Sequence, residues 1–199
     1  MSMKTEDIEQ LAPGIFLYKN LFHINFLETL LLSIENECSD PNGVLYWENS
    51  GVGESGAATE YRSSMTCGMA PVMMPGGGHP LHEAFKEAIH KPILECAFDY
   101  ANIHDINVGV HEPYSLLKYS AGAHYRSHYD AGPDMPRTFS AVAYLKNTST
   151  GGDLEFQHFK LRVPCIENSL LLFPASHPYM HYAHPVIDGM KYSLVTWYP

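Results

Sequence analysis

The spacing of apolar residues divides the chain into two parts. Residues 23–37, HINFLETLLLSIENE, repeat apolar residues every three or four positions, which predicts one face of a helix. Residues 79–101, HPLHEAFKEAIHKPILECAFDYA, predict a second helix, bent or broken at Pro92. We therefore expect residues 1–112 to be largely helical, with a mobile Gly- and Ser-rich loop at 48–64. The apolar positions of the first helix are Ile24, Leu27, Leu31 and Ile34.

From about residue 113 onward, short apolar segments alternate with turn residues. The segments YSLLKYS, TFSAVAYLK, GGDLEFQHF, SLLLFP and KYSLVTWY are separated by Gly, Pro, Asn and Asp, which predicts short strands. This part lacks the regular helices of a βαβ unit, so a sandwich or barrel is favoured. A chain of 199 residues is long enough for one domain but short for two. We expect a single domain in which residues 1–112 support a β core at 113–199.

Composition and charge exclude several classes of protein. The chain is 45% hydrophobic and 17% charged, as in ordinary soluble globular proteins. Its net charge of −10, with only 12 basic residues, disfavours binding to a nucleic-acid backbone and would favour a basic protein partner. No apolar segment approaches the ~20 residues of a membrane span, and the acidic start lacks a secretory signal. We expect a cytoplasmic protein whose four scattered cysteines are buried free thiols.

The segment HYRSHYDAGPDMPR, residues 124–137, carries the first candidate for metal chemistry. On an extended chain, His128 and Asp130 point to the same side. A His-x-Asp sequence also arises by chance, so this motif alone does not separate a metal site from surface decoration.

A second cluster lies in residues 173–199, where three histidines precede Lys191. Two nitrogen donors and one carboxylate on a β scaffold form the facial triad of non-haem Fe(II) oxygenases, which leaves coordination positions open. Lys191 would supply a positive charge for a dianionic acid. The histidines of the cluster are His177, His181 and His184.

Together these motifs resemble the 2-oxoglutarate and Fe(II)-dependent oxygenases, and among them the prolyl 4-hydroxylase type. The resemblance covers residues 114–198 and rests on LLKYSAGAHYRSHYDAG, RTFSAVAYL followed by GGDLEF, NSLLLFP, and HYAHPVIDGMKYSLVTW, in the family's order. It implies a double-stranded β-helix, a cupin-like jelly roll, with helices packed on one sheet and a cavity between the sheets. Asp188 and Gly189 would then form the turn before the strand that bears Lys191.

The resemblance also implies roles for individual residues. His181 is the histidine that lies ten positions before the family's basic residue, so His177 and His184 would only shape the loop. Lys191 would bind the distal carboxylate of 2-oxoglutarate, and Tyr119 would donate to a cosubstrate carboxylate or be a core aromatic. The implied Fe(II) ligands are His128, Asp130 and His181. Tyr125, Arg137 and Trp197 match positions that contact the substrate in prolyl hydroxylases. Their alternative roles are packing and surface charge.

The implied activity is hydroxylation of a C–H bond, above all in a prolyl residue of a peptide or protein. Fe(II), 2-oxoglutarate and O₂ would be required, with ascorbate as reductant, and succinate would be released. Tyr125 and Trp197 would hold the proline ring, and Arg137 a peptide carbonyl. The segment YRSSMTCG, residues 61–68, loosely resembles an Arg-x-Ser segment of this family whose adjoining loop closes over a peptide. Two alternatives stay open: the same chemistry on a free amino acid or small metabolite, and a non-enzymatic cupin-like module that binds a metal or a carboxylate.

Overall fold

Two antiparallel β-sheets form the centre of the computed structural model, which describes residues 7–51, 60–147 and 150–199. The strands, in chain order, are β1 (Ile8–Ala12), β2 (Ile15–Lys19), β3 (Glu48–Asn49), β4 (Met65–Gly68), β5 (Ser115–Ser120), β6 (Tyr125–His128), β7 (Phe139–Asn147), β8 (Thr150–Gly151), β9 (Leu154–Phe156), β10 (Leu161–Val163), β11 (Ser169–Pro174), β12 (His181–Ala183), β13 (Val186–Asp188) and β14 (Met190–Tyr198).

The strand order is that of a jelly roll, which confirms the predicted fold class. Within the described ranges, the large sheet has the order β1-β2-β11-β7-β14-β5-β4-β3 and the small sheet the order β10-β9-β12-β6. A short ladder joins β13 to β8 beside them. Gly189, with a φ of +84°, turns the chain from β13 into β14, as the Asp188-Gly189 pair predicts.

Helices cover the outer face of the large sheet. They are α1 (Ile24–Ser39), α2 (Ala70–Met73), α3 (His82–Phe85) and α4 (Lys91–His104). A π-helical turn at Lys86–His90 joins α3 to α4, so the second predicted helix continues through Pro92 and is not broken there. Pro92 lies in the first turn of α4, and a proline lacks the N–H that would continue the α-helical bonding there.

The prediction that residues 1–112 are largely helical is wrong in one respect, because β1, β2, β3 and β4 all belong to the large sheet. Strand β2, IFLYK, is buried on both faces and therefore lacks the alternation that identifies a half-buried strand. The predicted loop at 48–64 begins with β3, its central residues 52–59 lie outside the described residues, and Arg62 bridges to Tyr125.

Two apolar cores lie on opposite sides of the large sheet. The outer core packs α1 and α4 on the sheet, whereas the inner core fills the space between the two sheets. Ile24 was predicted to lie on the buried face of α1, but it begins the helix and is 52% exposed. The buried positions of α1 are Leu27, Leu30, Leu31 and Ile34.

The four cysteines form no disulfide bond, as their scattered positions predict. All four cysteines are free, with Cys67, Cys96 and Cys165 buried and Cys38 partly exposed. No helix in the described part of the chain has the length and apolarity needed to cross a membrane.

Candidate functional site

Three side chains with metal-ligating atoms meet on the inner face of the small sheet. His128 ends β6 and His181 begins β12, and the two residues pair directly in the ladder between these strands. Asp130 follows β6 and reaches back between them, so that one ligating atom from each residue lies within 4.8 Å of the others. Nε2 of His128 is 3.5 Å from Asp130 Oδ1, and Nε2 of His181 is 3.7 Å from Asp130 Oδ2. Two imidazoles and one carboxylate therefore face a common point.

Backbone carbonyls fix both imidazoles in the form that binds a metal. Nδ1 of His128 donates to the carbonyl of Arg126 at 2.7 Å, and Nδ1 of His181 donates to that of Tyr179 at 3.0 Å. Because a carbonyl oxygen only accepts, the proton is on Nδ1 and the lone pair on Nε2 faces Asp130.

Electrostatics favour the charge states that bind metal. Burial lowers the pKa of His181 to about 4, with a further contribution from His128, so the imidazole is neutral at pH 7. Burial opposes ionisation of Asp130, but His181, His128 and a hydrogen bond of 2.6 Å from Ser140 outweigh it and lower the pKa of this carboxyl. A carboxylate with two imidazole nitrogens is a donor set for Fe(II), and these residues fit the metal.

A cavity of about 590 Å³ opens beside the three side chains, between the two sheets. Its wall on the large sheet consists of every second residue of three strands, as expected where one face of each strand points inward. These wall residues are Leu117, Tyr119, Val142, Tyr144, Lys191, Ser193, Val195 and Trp197.

Lys191 carries an isolated positive charge inside this cavity. The residue is 3% exposed, and Nζ donates to the Gly152 carbonyl at 2.8 Å and lies 4.1 Å from the centroid of the Tyr119 ring. Burial lowers the pKa of Lys191 to about 8. In the described ranges no carboxylate forms an ion pair with this ammonium, and the buried Tyr144 hydroxyl has no hydrogen-bond partner. A buried unpaired cation and a free hydroxyl fit the carboxylate of a small acid such as 2-oxoglutarate.

Gly152, the second of two consecutive glycines, leaves room for the Lys191 side chain. Gly151 and Gly152 have φ angles of +78° and +73°, in the left-handed region. A Cβ on Gly152 would lie 3.3 Å from Cδ of Lys191, and a Cβ on Gly151 would lie 2.7 Å from the Pro185 carbonyl. The GGD sequence thus sets both the turn and the position of the ammonium.

Tyr125 lies at the cavity in an orientation that differs from the expected aromatic wall. Its ring stacks on His128 with centroids 3.6 Å apart and planes 19° apart, and the guanidinium carbon of Arg62 lies 4.4 Å from its centroid. The imidazole lies against one face of the Tyr125 ring, and the guanidinium lies against the other face. Tyr125 therefore lines the cavity without a free ring face.

Arg137 and Trp197 also line the cavity. Nε and Nη2 of Arg137 donate to the two carboxylate oxygens of Glu112, each at 2.6 Å, and Nη1 donates to the Asp130 carbonyl at 3.0 Å. The guanidinium also lies 3.8 Å from the centroid of the Trp197 ring. Arg137 thus covers one face of Trp197 and leaves fewer donors for a substrate than the sequence led us to expect.

The two flanking histidines lie outside the metal-compatible group. His184 Nε2 is 2.6 Å from a Glu155 carboxylate oxygen, and His177 Nδ1 is 3.3 Å from the Tyr129 hydroxyl. Across the part of the chain that the structure describes, His128, Asp130 and His181 form the one group of this kind.

Sequence reasoning missed several residues of the site. Tyr144 lies two positions after Val142 on β7, so strand alternation gave a signal for it. The glycine pair before Asp153 was a second usable signal. No sequence signal indicated Glu112 or Ser140. Each contacts its partner, Arg137 or Asp130, only in the folded chain.

Comparison with known proteins extends this picture. Residues 114–199 match the family model described as the 2OG-Fe(II) oxygenase superfamily. A comparison with curated proteins gives no match.

Three solved structures share the fold and cover 93% of this chain each. A prolyl hydroxylase from Trichoplax adhaerens, in complex with a peptide fragment of the hypoxia inducible factor oxygen degradation domain, is 18% identical with a TM-score of 0.70 over 83% of its length. A prolyl-4-hydroxylase from Pseudomonas putida is 17% identical with a TM-score of 0.67 over 91%. The viral collagen prolyl hydroxylase of Paramecium Bursaria Chlorella virus-1 is 17% identical with a TM-score of 0.64 over 95%.

Proposed function

We propose that this chain, which carries a 2OG-Fe(II) oxygenase domain over residues 114–199, hydroxylates a prolyl residue of a peptide or protein. The observation that supports this most is the meeting of His128, Asp130 and His181 at a cavity that also contains the buried ammonium of Lys191. An oxygenase of this superfamily uses Fe(II), 2-oxoglutarate and O₂. Ascorbate as reductant and a cytoplasmic location, which fits the four free thiols, are further parts of the proposal.

Each residue of the site has a definable task in this reaction. Nε2 of His128, Nε2 of His181 and the Asp130 carboxylate would hold Fe(II). The Lys191 ammonium, with the hydroxyls of Tyr119 and Tyr144, would bind and orient 2-oxoglutarate.

When bound, the metal and its cosubstrate supply the oxidation, which yields succinate, CO₂ and a hydroxylated C–H bond. The chain's own residues orient that bond and exclude water. The apolar side chains of Leu117, Val142 and Leu154 line the cavity and would limit access of water to it, which would strengthen the attraction between Lys191 and a carboxylate.

The rim of the cavity favours a substrate that extends beyond it. Gly132 and Met135 exchange backbone hydrogen bonds of 3.1 and 3.0 Å, so the intervening residues form a tight turn. Asp134 and Met135 are exposed on this turn and line the cavity, as does the partly exposed Tyr129. The apolar side chains of this rim and the exposed carboxylate of Asp134 suit a peptide with a basic residue near the proline, in keeping with the net charge of −10. The Trichoplax relative is itself in complex with a peptide.

The test is direct hydroxylation of defined substrates. Protein, Fe(II), ascorbate and 2-oxoglutarate are incubated with proline-containing peptides and, separately, with free proline, and products are analysed by mass spectrometry. We expect a gain of one oxygen on a prolyl residue of the peptides, with free proline a poor substrate. The His181→Ala variant is the control for metal-dependent turnover.

Two observations favour a second candidate, the same chemistry on a free amino acid or small metabolite. Both faces of the Tyr125 ring are covered, and Arg137 is bound to Glu112, which weakens two of the expected peptide contacts. Efficient hydroxylation of free proline with no peptide product would select this candidate. A non-enzymatic binding module would instead form no succinate from 2-oxoglutarate and Fe(II) with any substrate.

A further inference from the structure

Arg62, Tyr125 and His128 form a three-layer stack beside β6, the last strand of the small sheet. The Tyr125 ring lies between the guanidinium, 4.4 Å from its centroid, and the imidazole, 3.6 Å away. Arg62 belongs to the N-terminal part of the chain, whereas Tyr125 and His128 are the two ends of β6. The stack thus connects the N-terminal part to a residue of the proposed metal site.

Backbone pairing holds the segment of Arg62 against β6. Arg62 and Tyr125 form an antiparallel bridge, and the amide of Arg126 donates to the Tyr61 carbonyl at 2.9 Å. The Tyr61 hydroxyl also donates to the Ser127 carbonyl. The residues around Arg62 therefore form an additional edge beside the strand that carries His128.

Arg62 itself is fixed by polar contacts that leave its flat face on the tyrosine. Nε donates to the Ser64 hydroxyl at 3.2 Å, and Nη1 donates to the Gly51 carbonyl at 3.3 Å. Arg62 forms no ion pair among the described residues, so these two hydrogen bonds and the face of the Tyr125 ring are the contacts of its charged group there. A guanidinium held in this way keeps the tyrosine ring in place.

We propose that Arg62 is a positioning residue for His128, acting through the ring of Tyr125; the inference rests on the metal site of the proposed function. For the His128 imidazole to bind a metal, both the direction of its edge and the plane of its ring must be fixed. The hydrogen bond from Nδ1 to the Arg126 carbonyl fixes one edge of the ring, and the stack on Tyr125 fixes the plane. Arg62 secures that plane from the far side of the tyrosine.

The direction in which metal affinity changes when Arg62 is replaced distinguishes a positioning role from a purely electrostatic one. A cation near a metal site repels the metal, so loss of the Arg62 charge alone would tighten metal binding. If Arg62 positions His128, its loss instead weakens binding, because the imidazole is no longer held in the orientation that ligation needs.

The experiment measures Co(II) binding by the purified full chain and the visible absorption spectrum of the protein at saturating Co(II). Arg62→Gln is expected to raise the Co(II) dissociation constant about three- to tenfold and to change the spectrum, and Arg62→Lys, which keeps a cation over the ring, is expected to recover part of both. A role in stability alone would leave the spectrum of the saturated site unchanged.

Two matched controls come from the same strand. Arg126→Gln removes an equal charge from an exposed neighbouring position and is expected to leave binding unchanged or slightly tighter. Tyr125→Phe keeps the ring and is expected to bind Co(II) normally, whereas Tyr125→Leu is expected to resemble Arg62→Gln.

The inference is overturned if Arg62→Gln binds Co(II) as tightly as Arg126→Gln with an unchanged spectrum. Absence of Co(II) binding by the unmodified protein would overturn both this inference and the proposed function. Normal Co(II) results without hydroxylation of any peptide would contradict only the proposed substrate.

Discussion

His128 and His181 lie directly opposite each other in the β6–β12 ladder, with ring centroids 4.2 Å apart. The metal-compatible group therefore depends on the register of one antiparallel pair. A slip of one residue would turn one of the imidazoles to the other face of the sheet. Asp130, fixed by the Ser140 hydroxyl, completes the group from the same chain segment as His128.

This arrangement predicts which histidines are needed for iron. His128→Ala, Asp130→Ala and His181→Ala are expected to lose bound Fe(II), because each removes one of the converging ligand atoms. His177→Ala and His184→Ala are expected to retain it, since these side chains contact Tyr129 and Glu155 instead. Iron content of the purified variants is the measurement. Loss of iron in His184→Ala with retention in His181→Ala would contradict the assignment.

Lys191 is expected to control 2-oxoglutarate affinity without affecting iron. Lys191→Ala leaves a bound carboxylate without its cation in a buried site, which should weaken cosubstrate binding by about 2–5 kcal/mol, or roughly 30-fold or more. Lys191→Arg should retain part of the affinity, because a guanidinium also pairs with a carboxylate. Titration calorimetry with 2-oxoglutarate measures the change, and an unchanged affinity in Lys191→Ala would remove this residue from the site.

Lys191 also predicts that the affinity for 2-oxoglutarate depends on pH. Burial lowers the pKa of Lys191 to about 8, so in the free protein the ammonium loses its proton as the pH rises through that value. A dianionic ligand favours the charged form, and binding above pH 8 must therefore include uptake of a proton. We expect 2-oxoglutarate affinity to fall above about pH 8 and to become nearly independent of pH in Lys191→Arg. A profile that is equally steep in both proteins would assign the effect to another group.

The family resemblance allowed the meeting of His128, Asp130 and His181 at one cavity with Lys191 to be predicted, because the motifs that carry the resemblance are local features of two segments. It did not allow β2 to be predicted, since its five residues are all but one buried and its partner β11 lies at the other end of the chain. The orientation of Tyr125 was equally inaccessible, because Arg62 reaches it only through pairing across a long sequence separation. Contacts between distant segments are what the sequence alone does not fix.

The glycine that adjoins Lys191 offers a further test. Gly152→Ala places a Cβ 3.3 Å from Cδ of Lys191 at a φ of +73°, so it should weaken 2-oxoglutarate binding and lower stability by about 1–2 kcal/mol. Gly76→Ala is the matched control, because Gly76 has a φ of +76° and no atom near the added Cβ. It should cost similar stability with unchanged 2-oxoglutarate binding. Thermal unfolding and calorimetry measure both quantities, and equal loss of affinity in the two variants would show a general effect of strain.

The exposed carboxylate of Asp134 gives the most specific prediction about the substrate. It lies on the tight turn at the rim of the cavity and forms no hydrogen bond or ion pair with the described residues, so it is available to a basic side chain next to the target proline. Peptides with Lys beside the proline should therefore have a higher kcat/KM than matched peptides with Glu, and Asp134→Lys should reverse that order. Glu95→Lys makes the same change of charge at an exposed position on α4, away from the cavity, and should leave the order unchanged. Because the two variants have equal net charge, only a local contact produces a difference between them. A preference that shifts equally in both would reduce the role of Asp134 to its contribution to overall charge, and a preference that shifts in neither would place the basic residue of the substrate elsewhere.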